Sequence, residues 1–264
     1  MGKKFKVPFA CVLDEMKGMI KSVNLNIVLP VFNEELRLEN GVRILHSYLK
    51  KHPQIDYQIT IVDNASNDGT KDIAEKLCKA NEKIEYIYIA KKGVGIAFKT
   101  AVEKNQCKII GYMDIDMSTD LSALSIMYEA FCNDKKLQFV NASRYHRKSK
   151  LIGRKWYRNL LSYALIGLLK CVFDMKASDA ICGFKFFRKE AIDELLKESG
   201  GEEGWFLLIE ILLRAEKKRM QILELPVKWI YEEHTKVNIK KVTINYLKQI
   251  IKLKKQFVEE QKNA

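Results

Sequence analysis

The sequence predicts an α/β fold with a mainly parallel central sheet and helices on both faces. Three observations lead there. Short runs rich in β-branched residues alternate with helical patterns from Asn24 to Ala142. Polar and acidic clusters (Asn33-Glu34, Asp63-Asn64, Lys91–Gly95, Asp114–Asp120) follow directly on the apolar runs, where such sheets bind ligands. Hydrophobic residues make up 47% of the 264, enough for a sizeable core.

The elements follow in order. Asn24–Val31 (NLNIVLPV) is almost continuously apolar and reads as a buried strand. Glu34–His52 reads as a helix that ends before Pro53. Tyr57–Val62 is a second strand, and Asp68-Gly69 turns the chain into a helix over Thr70–Asn81. Ile84–Ile89 is a third strand, and Gly93–Lys104 a short helix behind a glycine loop. Lys108–Met113 is a fourth strand, followed by carboxylates and a helix over Leu121–Cys132; Leu137–Ala142 is the fifth. The rhythm then breaks. A long helix is predicted over Arg154–Phe173, a short strand over Gly183–Arg188, a helix over Glu202–Lys218, a strand over Gln221–Ile230 and a lysine-rich helix over Ile239–Val258. The expected organisation is one domain, 24–238, between an N-terminal amphipathic segment, 1–23, and a basic amphipathic helix, 239–264.

Lysine and arginine total 46 against 33 acids, a net of +13. Residues 144–176 hold nine basic side chains and one acid, and residues 239–264 hold seven and two, so +8 and +5 account for the whole excess. Charge this local points to a specific anionic ligand or an anionic membrane face, not to a uniform nucleic-acid coat. The six cysteines show no C-x-x-C pair and histidines number four, which argues against a zinc site or a disulfide scaffold and fits a reducing cytoplasm. The apolar stretch Leu160–Phe173 is interrupted by Lys170 and falls short of the roughly 20 residues a membrane span requires. A soluble or peripheral protein is expected.

Asp114 and Asp116 form a D-x-D directly after the apolar run KIIGYM. Hard divalent ions such as Mg²⁺ and Mn²⁺ take one or two carboxylates together with substrate phosphates. Asp63, at the end of QITIV, is placed to accept hydrogen bonds from a nucleobase or ribose. Gly93-Val94-Gly95 resembles a phosphate loop opening a helix, although Phe98 spoils a dinucleotide fingerprint. Arg144, Arg154 and Arg158 follow the fifth strand and suit phosphate, with Ser162 one helical turn beyond Arg158. Asp179 reads as a turn residue. The final helix pairs an apolar face (Val242, Tyr246, Ile250, Leu253, Phe257 among others) with lysines, which fits either a membrane surface or packing on the domain.

Together these motifs resemble the family 2 glycosyltransferases of the GT-A fold, and within them the dolichyl-phosphate and polyprenyl-phosphate hexose synthases. The carrying segments are PVFNEE, VDNASNDGT, KGVGIAFKTAV, MDIDMS, ASRY, SDAICGFKFFR, the Trp205-Phe206 and Glu210 segment and LPVKWIYEEHTKV, in order from about residue 24 to 237. The resemblance implies that Pro30, Val31, Asn33, Glu34 and Asp63 hold the base and ribose of a nucleotide sugar, with Gly93, Gly95 and Asp114 also on the donor. It implies a Mg²⁺ or Mn²⁺ on Asp114 and Asp116, and a lipid phosphate on Arg144, Arg158, Ser162 and Lys236. The implied reaction is inverting transfer of a hexose, from UDP-glucose first and GDP-mannose second. The implied location is the cytoplasmic face of a membrane, held peripherally by the terminal helices, a partner subunit or a homo-oligomer. Asn64, Ala65, Lys91, Ala142, His234 and Thr235 depart from the family pattern. A soluble or surface polysaccharide acceptor, a nucleic-acid-binding role and a sugar nucleotidyltransferase are the competing readings. Modest aromatic interleaving and the lack of a recognised module disfavour the nucleic-acid role.

Overall fold

The computed structural model describes residues 24–231 and 239–262; the segment 1–23 and Lys236 lie outside the described residues. The strands are β1 (Leu25–Val31), β2 (Tyr57–Asn64), β3 (Ile84–Ile89), β4 (Ile109–Met113), β5 (Phe139–Ser143), β6 (Lys150–Ile152), β7 (Phe184–Arg188), β8 (Ile222–Pro226) and β9 (Lys228–Ile230). The helices are α1 (Leu38–Lys50), α2 (Thr70–Ala80), α3 (Val94–Lys104), α4 (Ser122–Asn133), α5 (Trp156–Phe173), α6 (Lys189–Glu198), α7 (Phe206–Lys217) and α8 (Ile239–Lys262).

Seven strands form one sheet in the order β3-β2-β1-β4-β7-β5-β8, and β6 and β9 form a second, small one. Pairing is parallel except at β7, which runs antiparallel to both β4 and β5. This inversion positions the site. It delivers the start of β7, and the loop before it, to the carboxyl ends of β4 and β5.

Each strand alternates between two cores. Along β4, Ile109 and Met113 face α1, α2 and α4, while Ile110 and Tyr112 face α3, α5, α6, α7 and α8. Gly111 is where Phe186 crosses the sheet face; a Cβ there would stand 2.0 Å from the Phe186 ring.

The differences from expectation have local causes. The first helix starts at Leu38 because residues 33–37 are held as a turn against the β2–α2 loop. The strand expected over Gln221–Ile230 is divided between sheets: Val227 N donates to Ser143 O as the ladder with β5 ends, just after Pro226. Strand β6 and helix α6 were not anticipated. In α8, Tyr246, Ile250 and Leu253 are buried against the domain, with Val242 and Phe257 packed beside them. That apolar face therefore serves packing and does not meet a membrane. Among the described residues no helix is long and apolar enough to cross one.

Candidate active site at the carboxyl ends of the strands

The ends of β1 and β2 are zipped together by short polar side chains. Asn33 adopts a left-handed backbone (φ 55°); its N–H donates to Ser66 Oγ (2.9 Å) and its Oδ1 accepts from Asn67 N (2.9 Å). Glu34 N donates to Thr70 Oγ1 (2.8 Å), and its carboxylate receives both Nε and Nη2 of Arg37 at 2.8 Å. Asp63 is fully buried, accepting from Ser66 N (2.9 Å) and from the Tyr86 hydroxyl (3.0 Å). Burial and that bond push the Tyr86 phenol well above its ordinary pKa. Pro30 and Val31 line the end of β1 between them.

The departure at 64 acquires a reason. The Asn64 amide donates to Val31 O (2.6 Å) and accepts from Gly93 N (3.1 Å), a pair of roles that an ionised aspartate could not fill. Ala65 sits at φ 67°, a conformation glycine reaches without cost and alanine does not, and nothing in the structure explains the alanine.

Gly93 and Gly95 have a packing role. The amides of Gly95 and Ile96, at the start of α3, donate to the carbonyl of Glu203 (2.8 and 3.1 Å). A Cβ on Gly93 would lie 2.5 Å from that oxygen, and one on Gly95 2.7 Å from Gly204 O. The helix N-terminus expected to cradle phosphate is thus capped by the 202–204 segment. Lys91 braces the same segment through Glu203 (2.5 Å). This is why the helix expected from Glu202 begins at Phe206.

Asp114 and Asp116 stand beyond β4. Asp114 Oδ1 accepts from the Tyr112 hydroxyl (2.6 Å), and its N–H donates to Gly183 O (3.2 Å). Asp116 Oδ1 accepts from Ser118 N (2.9 Å), next to Met117 in a left-handed backbone (φ 53°). Burial and the neighbouring charge of Asp116 push the Asp114 carboxyl up to about 7. A Cβ at Gly183 would fall 1.9 Å from Asp114 Oδ2, so the backbone just before β7 is a cradle only glycine leaves open. Two crowded carboxylates, each with one oxygen fixed by a donor, suit a hard divalent cation that completes its shell with ligand phosphates. Among the described residues no group of three or more His, Cys, Asp or Glu could hold a metal alone. The residues fit a cation shared with a substrate. Because Asp114 must lose its proton to bind, Mn²⁺ affinity measured by titration is expected to fall about tenfold from pH 8 to pH 6.

The basic stretch folds into a cluster. Arg144, just past β5, is buried and clamped by the fully buried Asp179: Nε to Oδ2 at 2.7 Å, Nη2 to Oδ1 at 3.0 Å and its own N–H to Oδ2 at 3.1 Å. Burial opposes both charges, but each partner, with its hydrogen bonds, more than offsets this, raising Arg144 and lowering Asp179. The guanidiniums of Arg144 and Arg154 each lie 5.7 Å from the Trp229 ring, and that of Arg158 lies 5.4 Å from Tyr231. Burial, then the charge of Arg144, lowers the pKa of Arg154. Ser162 accepts from Arg154 Nη2 (3.0 Å), which brings Arg154, from the loop before α5, to the Ser162 side of the helix. Arg154 also donates to the Tyr145 hydroxyl.

Several residues of this site carried little or no signal in the sequence. Asp179 is the principal partner of Arg144. Lys185, entirely buried on β7, donates to Asn141 Oδ1, whose amide donates to Asp179 O (2.9 Å); burial pulls the lysine down to about 8. Glu224 accepts from the N–H (2.6 Å) and hydroxyl (2.8 Å) of Ser178. A charged residue inside a strand pattern, such as Lys185 in GFKFF, was the available clue, since burial of a lysine demands a partner.

A family model described as Glycosyl transferase family 2 matches residues 26–196. The relative named Glycosyltransferase AglD, of Haloferax volcanii, is 27% identical over 87% of this chain, which spans 37% of that protein's length. Dolichyl-phosphate beta-glucosyltransferases of Dictyostelium discoideum (27% identical; 92% of this chain, 77% of that one) and Homo sapiens (28%; 81% and 69%) are also similar. Among solved structures, glucosyl-3-phosphoglycerate synthase from Mycobacterium tuberculosis in complex with uridine diphosphate superposes with a TM-score of 0.67 at 14% identity, covering 96% of this chain and 86% of that one. The same enzyme with Mn²⁺, UDP-glucose and phosphoglyceric acid gives 0.65 at 14%, covering 96% and 85%. These two likenesses concern the fold, which is the GT-A arrangement. The family match runs from β1 into α6 and takes in the carboxylate pair, the arginine after β5 and the antiparallel β7, so the chain belongs to glycosyl transferase family 2.

Proposed function

We propose that this chain transfers a hexose, from UDP-glucose as first choice and GDP-mannose as second, to a polyprenyl- or dolichyl-type lipid phosphate with inversion at the anomeric carbon. The observation that carries the reading is the arginine cluster beside the carboxylate pair: Arg144 after β5 and Asp114 after β4 are both bonded to the segment leading into β7, the one through Asp179 and the other through the carbonyl of Gly183. One sub-site gathers cations for an anionic acceptor and the other gathers carboxylates for a cation on the donor. The similarity to dolichyl-phosphate beta-glucosyltransferases supports the acceptor class.

In this reading the Asn33–Glu34 turn and Asp63 frame the pocket for the base and ribose. Asp114 and Asp116 would hold a divalent cation that neutralises the departing nucleoside diphosphate as a Lewis acid. The acceptor phosphate is anionic at neutral pH and attacks without a strong general base. Arg144, pre-set by Asp179, and Arg158, over Tyr231, orient it in line with the leaving group, so positioning supplies much of the acceleration. Single displacement turns an α-linked donor into a β-linked product. The enzyme works peripherally at the cytoplasmic face of a membrane.

The test is a panel of UDP-glucose, GDP-mannose and UDP-N-acetylhexosamines with a short polyprenyl phosphate and Mg²⁺ or Mn²⁺. Release of one nucleoside diphosphate only when lipid is present is expected; release with a soluble glycan instead would sink the reading. Arg158→Ala is expected to raise the acceptor KM by about tenfold to a hundredfold, the worth of a charge-assisted hydrogen bond, while the donor KM changes little. Equal losses for both substrates would remove Arg158 from the acceptor site.

A further inference from the structure

One row of side chains crosses four strands beneath the site. The ladder registers place Tyr112 on β4, Lys185 on β7, Asn141 on β5 and Glu224 on β8 side by side, on the sheet face that packs against α3, α5, α6, α7 and α8. The adjacent row on that face is Ile110, Phe187, Phe139 and Ile222, with the two phenylalanine rings stacked 4.2 Å apart. It shows what this face uses where packing alone is at stake. Lys185 departs from that pattern. The side chain is entirely buried; its ammonium lies 6.0 Å from the Phe139 ring and donates to Asn141 Oδ1. Burying an ammonium carries a large desolvation cost, and an apolar side chain of similar volume holds a core at least as well. The lysine therefore has a role other than holding the sheet.

Its hydrogen bonds point to that role. With its oxygen turned to Lys185, the Asn141 amide presents Nδ2 to Asp179 O (2.9 Å). A flipped amide would set its oxygen against that carbonyl and its NH₂ against the lysine, which has donors only, so the ammonium fixes the amide in one orientation. Asp179 in turn accepts three hydrogen bonds from Arg144. The ends of the row reach the same loops. The Tyr112 hydroxyl donates to Asp114 (2.6 Å). Glu224 accepts from Ser178, whose Oγ lies 2.6 Å from Ser143 Oγ, the acceptor for the amides of Tyr145 and His146.

We propose that Lys185 is a positioning residue for the acceptor, setting the Arg144 guanidinium through Asn141 and Asp179. The inference rests on the lipid-phosphate reading only in taking Arg144 as an acceptor group. The coupling from lysine to arginine needs no ligand.

The experiment compares wild type with Lys185→Met and Asn141→Asp in the full chain, with two readouts. The first is solvent exchange of the arginine Nε–H groups by NMR of isotope-labelled protein, the Arg144 signal being identified by its loss in Arg144→Lys. Arg214, buried on α7 with its Nε on Glu210 (2.9 Å), lies outside the row and is the internal reference. Arg144 is expected to exchange at least about tenfold faster in both variants, the worth of a lost buried hydrogen bond, while Arg214 keeps its wild-type rate. The second readout is kinetic: the acceptor KM should rise about tenfold with the donor KM unchanged. Asn141→Asp keeps a partner for the lysine, so it decides the question by itself if Lys185→Met does not fold. Arg144 as protected in the variants as in wild type overturns the proposal. So does joint loosening of Arg144 and Arg214, which would make Lys185 a merely structural residue, or a rise in both KM values together. Selective loosening of Arg144 in a chain that transfers no hexose to a lipid phosphate would leave the coupling standing while the functional reading falls.

Discussion

Asp116→Ala is expected to lower hexose transfer by about a thousandfold or more, even at saturating donor. A catalytic cation supplies several kcal/mol of charge stabilisation at a leaving group, and about 1.4 kcal/mol corresponds to tenfold in rate. Asp116 is the better partner for that cation. Its Oδ1 is fixed by a backbone amide of its own turn, whereas Asp114 spends Oδ1 on the Tyr112 hydroxyl and is driven up to about 7 by burial and Asp116. Removing Asp116 also removes the like charge that raises Asp114, so the Asp114 pKa should drop in the variant. Loss of activity together with weakened Mn²⁺ binding is the expected pair of results. Turnover above about a tenth of wild type with metal present would falsify the assignment.

Asp179→Ala carries the second large effect, on stability first and on the acceptor second. It strands Arg144, which is buried and donates three hydrogen bonds, from its side chain and backbone, to that one carboxylate. Deleting one partner of a buried pair costs about 3–5 kcal/mol, because an uncompensated charge remains inside. Denaturant unfolding should register that loss at neutral pH. The pH dependence follows from the lowered pKa of Asp179. A carboxylate depressed by folding contributes stability above its unfolded pKa, about 3.9, and loses it as pH falls through the lower folded value. The gap between wild type and variant should therefore close only in acid below about pH 4. Arg144→Met on top of Asp179→Ala should recover part of the stability and none of the acceptor binding. A single variant as stable as wild type at pH 7 would show that Arg144 is not held by this pair.

The sheet was legible because its strands are short, β-branched and bounded by turn chemistry. All five strands expected before Ala142 appear, each shifted by no more than two residues at either end. Asp114 and Asp116 were legible for a related reason, since acids directly after an apolar run mark the end where a parallel sheet binds ligands. The glycine loop left its partner open, because a helix N-terminus needs partners for its amides whatever they are. Here the partner is the carbonyl of Glu203, over a hundred residues on, which no local pattern reveals. The reach of Arg154 to Ser162 was equally hidden: helical spacing relates Ser162 to Arg158, whereas Arg154 comes to it from the loop before the helix.

The last helix shows how period and partner differ. Its spacing of apolar residues required a covered face, and the fold covers it with the domain, burying Tyr246, Ile250 and Leu253. The long helix over Arg154–Phe173 showed no polar face to turn outward, and only packing decided which apolar side was left over.

The sequence by itself determined the alternation of strands and helices, the carboxylate pair at a strand end and the confinement of +13 to two stretches. These are local properties, set by the chain's period and composition. Tertiary structure decided what the charges do. An antiparallel β7 carries Gly183 against Asp114 and the loop before it against Arg144, so that Asp179, a turn residue by its neighbours, becomes the buried counter-ion of Arg144. Strand direction and burial create that pairing, and both arise only when distant segments share one sheet.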